Sequence, residues 1–111
     1  MARTKMTVIS LGSLAAAASA AAIQLDRSLD GCSIVIVGAG GGAFVATPQI
    51  HVGYEGTLWM VAKDMNGSLI SIADNLKNVF NLAGSYPYMR FSLSAWTSGT
   101  VTAFLIMPPT F

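Results

Sequence analysis

One cysteine, Cys32, and one histidine, His51, are the first places to look for a nucleophile, a base or a metal ligand in this chain. A zinc site needs three or four Cys, His or carboxylate ligands at close spacing, and the sequence offers no such cluster. A lone thiol cannot close an internal disulfide. Cys32 opens the apolar run Ile34-Val35-Ile36-Val37 with no Lys, Arg or His next to it to favour the thiolate. It therefore reads as a small buried hydrophobe rather than a reactive group. His51 lies in Ile50-His51-Val52-Gly53-Tyr54, where alternation puts it opposite Ile50, Val52 and Tyr54. That position fits a solvent-facing or interface strand residue better than a catalytic base. No serine sits in a G-x-S-x-G elbow. The chain is expected to be no enzyme and to carry no metal or cofactor.

A dinucleotide-binding pattern is present in letters. Ile34-Val35-Ile36-Val37 runs into Gly38-Ala39-Gly40-Gly41-Gly42-Ala43, which matches a strand followed by G-x-G-x-x-A. The chemistry of that motif needs a helix immediately afterwards, because the helix N-terminus binds the pyrophosphate. Here Phe44-Val45-Ala46-Thr47 meets Pro48, which forbids a continuing helix and biases Thr47 toward extended geometry. Glu55, the acid nearest the ribose-binding position, falls in the turn-like Tyr54-Glu55-Gly56-Thr57. The glycines are better explained as a loop between two strands, or as backbone packed closely against another subunit.

The elements that carry these residues read as strands. Period-two alternation with β-branched and aromatic enrichment marks 7–11, 22–25, 32–37, 49–54, 58–62, 68–72, 79–82, 89–96 and 100–107. Asp30-Gly31, Glu55-Gly56, Asn66-Gly67 and Ser98-Gly99 supply turns. Asn66-Gly67-Ser68 also matches a glycosylation sequon, which a hairpin turn explains as well. Ser98-Gly99 predicts a hairpin over 89–107, and only 72–80 has helical spacing, at Ile72, Leu76, Val79 and Phe80. Nine short strands with glycine turns predict an all-β, antiparallel β-sandwich, jelly-roll-like, over residues 23–111.

Charge is scarce. Only six Lys/Arg and five Asp/Glu occur among 111 residues, 53% of which are hydrophobic; soluble domains are usually about 25% charged. A folded monomer of this size exposes roughly 5,800 Å², or about 530 Å² per charged side chain. The net charge of +1 excludes a basic nucleic-acid binder. Residues 78–111 hold a single charge, Arg90. Such a surface points to burial against other subunits.

Residues 1–22 imitate a secretion signal: Arg3 and Lys5, an apolar stretch from Met6 to Leu14, and Ala18-Ser19-Ala20 as a cleavage-like site. Gly12 and Ser13 interrupt the apolar stretch, however, and alanine carries the remainder. Seven alanines in the 20 uncharged residues from Met6 to Leu25 also argue against a membrane helix. The segment is expected to be an extended N-terminal arm packed along a protein surface.

Two stretches carry a family resemblance. Tyr54-Glu55-Gly56-Thr57-Leu58-Trp59-Met60-Val61 has the form Y-x-G-T-x-W-x-V. The run from Met89 through Arg90-Phe91-Ser92-Leu93-Ser94-Ala95-Trp96 to Thr97-Ser98-Gly99-Thr100-Val101-Thr102-Ala103 follows. Together, over about residues 31–107, they resemble small β-sandwich virion proteins of tailed bacteriophages, of the head decoration (cement) type. The resemblance implies a structural protein on the capsid surface, assembled in the host cytoplasm. It also implies a homo-oligomer, a trimer first of all, bound to the major capsid protein or other virion subunits, with no nucleic acid and no membrane. Trp59, Trp96, Phe104 and Phe111 are the candidate interface anchors, since aromatic side chains dominate interface energetics. A tail- or fibre-associated module is an alternative, as is a secreted binding module with residues 1–20 as its signal.

Overall fold

The computed structural model describes residues 6–71 and 78–108. Eight strands form two four-stranded antiparallel sheets: β1 (Thr7–Leu14), β2 (Ile23–Gln24), β3 (Ser33–Gly38), β4 (Val45–Glu55), β5 (Leu58–Val61), β6 (Asn78–Asn81), β7 (Tyr88–Ser98) and β8 (Val101–Met107). Sheet A has the order β1-β8-β3-β6, and sheet B the order β2-β7-β4-β5. The pairings β1:β8, β2:β7, β3:β6 and β4:β5 are nested. They describe one long antiparallel ribbon with the β4–β5 turn at its midpoint. Rolling that ribbon brings β3 beside β8 and β4 beside β7, which is the jelly roll.

Alternation builds the core between the sheets. Sheet A contributes Ile34, Ile36, Val101 and Leu105, and sheet B contributes Ile50, Met89 and Phe91, all fully buried. The intervening residues of β3 and β4 face outward and are partly exposed. Pro48 sits in a central strand without penalty because the ladder slips between Ala46 and Pro48. A proline with no N–H to offer belongs at such an irregularity.

The structure departs from the sequence reading at four places. Residues 89–107 are no hairpin. β7 pairs with β2 and β4, whereas β8 pairs with β1 and β3. The turn at Ser98–Gly99 therefore arches across the core from sheet B to sheet A, and both strands are interior in their sheets. Secondly, 68–72 forms no strand within the described residues; Leu69 and Ser71 make only isolated bridges to Lys63 and Gln49. Thirdly, Val79 and Phe80 lie on strand β6 rather than a helix; Ile72–Lys77 of the expected helix fall outside the described residues. Finally, the N-terminal segment packs on its own chain. β1 pairs with β8 along its length, and Ala18 and Ala20 hydrogen-bond the β7 backbone at Leu93 (2.9 Å) and Phe91 (2.8 Å).

The glycine run now has a structural reason. β3 ends at Gly38, a short 3-10 turn spans Ala39–Gly41, and the chain enters the other sheet at Val45 with no helix between. A side chain at Gly38 would strike the Gly42 carbonyl. The two arches, β3–β4 and β7–β8, stack against each other: Ala39 N–H donates to the Thr100 carbonyl at 2.9 Å. Gly99 has φ +87°, and a Cβ there would lie 2.6 Å from the Ala43 carbonyl and 2.7 Å from Phe44. Gly99→Ala should accordingly cost about 2–4 kcal/mol, combining strain and overpacking. Gly56→Ala, where a Cβ meets nothing within 4 Å, should change stability by less than about 0.5 kcal/mol. Urea unfolding of the two variants checks this; equal midpoints would refute the stacked-arch account.

Candidate functional site: two contrasting sheet faces

The register fixes which side chains cover the outside of sheet A. One row across the sheet is Val8, Ile106, Ser33 and Asn81; the next is Ser10, Phe104, Val35 and Val79; the third is Ser13, Thr102 and Val37. Val8 is 59% exposed and Val79 65%. The four strands contain no Asp, Glu, Lys or Arg. Their hydroxyls are occupied locally. Ser13 Oγ and Thr102 Oγ1 share a 2.7 Å hydrogen bond, Ser33 Oγ donates to Asn81 Oδ1 at 3.0 Å, and Ser10 Oγ accepts from Gly12 N–H at 3.3 Å. The other outward side chains, Val8, Ile106, Phe104, Val35, Val79 and Val37, are aliphatic or aromatic.

The outside of sheet B is polar. Arg90 Nε donates to His51 Nδ1 at 3.0 Å. Because arginine only donates, the proton of neutral His51 is on Nε2, which donates to Gln49 Oε1 at 3.1 Å. Gln49 Nε2 in turn donates to Ser71 Oγ at 3.1 Å. The Arg90 guanidinium lies over the Trp59 ring, 4.5 Å from its centroid, a cation–π contact. His51 thus faces outward, as alternation predicts, and serves as an acceptor for arginine. Burial first, and the Arg90 charge second, lower its pKa from 6.5.

The four aromatic candidates do not form one patch. Phe104 stands in the middle of the sheet A face. Trp59 is on the opposite sheet beneath Arg90. Trp96 is at the arch, with its Nε1–H donating to the Gly99 carbonyl at 2.8 Å. Phe111 lies outside the described residues. Aromatic content alone missed Val8, Val35, Val79 and Ile106. A signal for the face was nevertheless present: 34–37 and 104–107 are apolar in both phases of the alternation. Strands of that kind are ordinarily covered on both faces.

Cys32 is buried at 1% exposure, as its apolar context predicts. A cation does lie near it, contrary to the local reading: Arg27 lowers the thiol pKa. Burial outweighs that pull and raises the pKa above 9.0, with Asp30 adding to the rise. Among the described residues no group of three or more His, Cys, Asp or Glu side chains could hold a metal ion. No helix among them is long and apolar enough to cross a membrane. Comparison with protein-family models, with curated proteins and with solved structures finds no match to this chain.

Two outcomes test these assignments. Cys32 should react with a thiol reagent at pH 8 only as fast as the protein opens, at least tenfold slower than in urea; equal rates would mean an accessible thiolate. For His51, the unfolded chain takes up a proton near pH 6.5 before the folded chain does. Its contribution is therefore complete above pH 6.5 and is lost as the pH falls through the lower folded value. Thermal unfolding should show a smaller loss between pH 7 and pH 5 in His51→Gln than in the wild type. An unchanged slope would remove His51 from the account.

Proposed function

We propose that this chain is a structural subunit of a bacteriophage virion, a head decoration protein that binds and stabilises the shell without catalysing a reaction. The observation that carries the reading is the uncharged outer face of sheet A, centred on Phe104 and Val35. Contiguous exposed apolar surface of a few hundred Å² marks an interaction site on a folded protein. The jelly roll adds support, since viral capsid domains recur in that architecture. Fold alone does not decide function, and the motif resemblance over residues 31–107 is what directs the reading to the phage head. Its mechanism is additive burial: many copies, each covering apolar surface on neighbouring virion subunits, copies of itself included, reinforce the shell.

Export is the less favoured alternative. Cleavage after residue 20 would remove β1 and bare the full edge of β8, with which it pairs from Thr7 to Leu14.

Quantitative gel densitometry of purified virions, with intact mass of the virion-derived chain, tests the proposal. The expected result is a copy number comparable to that of the major capsid protein, with residues 7–14 retained. A few copies per particle would favour a tail or fibre position. Absence from particles, or loss of residues 1–20, would overturn it in favour of an exported module.

A further inference from the structure

We infer that the outer face of sheet A is the contact through which two copies of this chain associate, sheet against sheet about a two-fold axis. The inference rests on the subunit reading above only for the expectation of self-association, and it names the surface, the occupant and the symmetry.

Three properties of the face select a second copy as its occupant. Its strands carry no charge, so an acidic, basic or nucleic-acid partner would find no complementary group there. Two identical copies meet without like-charge repulsion. Next, the polar side chains among the outward rows have partners within the chain, at Ser10, at Ser13 with Thr102, and at Ser33 with Asn81. Each of these hydroxyls therefore keeps one hydrogen bond within the chain when another apolar face covers it, which lowers the cost of burial. The third property is relief. Val8 and Val79 stand out on the two edge strands, 59% and 65% exposed, and Phe104 with Val35 fills the row between Ser10 and Val79.

Size agrees with a pair. Four strands spaced at about 4.8 Å, with about 3.4 Å per residue along them, give roughly 400 Å² in projection. A face-to-face pair hides about 800 Å² in projection, in the range below about 1,200 Å² that weak, concentration-dependent associations occupy.

Association by strand edges is the weaker route. β6 is four residues long, and β1 is irregular between Ser10 and Gly12; short and bulged edges resist pairing. The face is a single self-complementary patch, so its pairing is isologous and closes at two copies. A ring of three would need a different surface.

The test is sedimentation velocity of the full chain over a concentration series, with Val8→Lys and Val79→Lys made separately and together. Both side chains are largely exposed in the single chain, so each lysine should leave the far-UV circular dichroism and the unfolding midpoint unchanged. Met60→Lys, exposed on edge strand β5 of sheet B, is the control. The wild type and Met60→Lys should sediment as dimers. Each sheet A variant should dissociate at least about tenfold more readily, because it places an unpaired charge in a buried apolar face. A wild type that stays monomeric at every concentration overturns the inference, as does a double variant that remains dimeric. Equal loss in Met60→Lys would assign the contact elsewhere and also overturn it. The virion reading fails separately: a monomer abundant on heads sinks the dimer alone, and a dimer absent from heads sinks the virion reading alone.

Discussion

Every strand of this molecule is placed by one nested pairing, β1 with β8, β2 with β7, β3 with β6 and β4 with β5. Such a ribbon has two faces. The face carrying Ile34, Ile36, Ile50, Met89, Phe91, Val101 and Leu105 must leave water. Rolling it on itself buries that face once, between two sheets, and the extra pairings β3:β8 and β4:β7 follow from the roll. The arches are the geometric cost. They must turn through the thickness of the core, which is why Gly38 comes close to the backbone of its own loop at Gly42 and Gly99 to that of the other arch at Ala43 and Phe44. The glycines that imitate a nucleotide loop are thus spent on packing.

The same roll sorts the few charges. Among the described residues they lie in the loops, at Glu55 where β4 ends and at Arg90 on β7, and none falls on the strands of sheet A. Sheet B holds its outer polar groups in a chain from Arg90 through His51 and Gln49 to Ser71. That chain commits both ring nitrogens of His51, one to Arg90 and one to Gln49. Sheet A has the opposite character, with its hydroxyls paired and its aliphatic groups uncovered. One face presents polar groups bonded to one another, and the other presents aliphatic and aromatic groups. That asymmetry is the ground of the assembly role proposed above.

The Ala-rich segment illustrates how composition and tertiary contact divide the explanation. Its low hydrophobicity and small side chains argue against a membrane span or a strong signal, and for an extended path along protein. What it packs on could not be read locally. The surface it follows is β7 of its own chain, through backbone hydrogen bonds at Phe91 and Leu93 and the Ser19–Ser92 hydroxyl pair at 2.9 Å. Small residues suit such a crossing from one sheet edge to the other, because any backbone of extended shape can lie there.

Taken by itself, the sequence determined that the chain is all-β, where most of its strands run, that Pro48 denies the glycine loop a helix, and that Cys32 is buried. Each of these depends on local alternation, on the fixed φ of proline or on the apolar character of near neighbours. Only the tertiary structure decided which strands are neighbours. Backbone donors and acceptors are the same at every residue, so alternation says which side of a strand is buried and is silent about its partner. Ser98-Gly99 allows both a hairpin and an arch. The choice fell to whether Phe91 and Leu105 meet side by side in one ladder or across a core, and the nested pairing with β1 through β4 required the core. For the same reason Trp59, Trp96 and Phe104, equivalent as aromatic letters, end on three different surfaces.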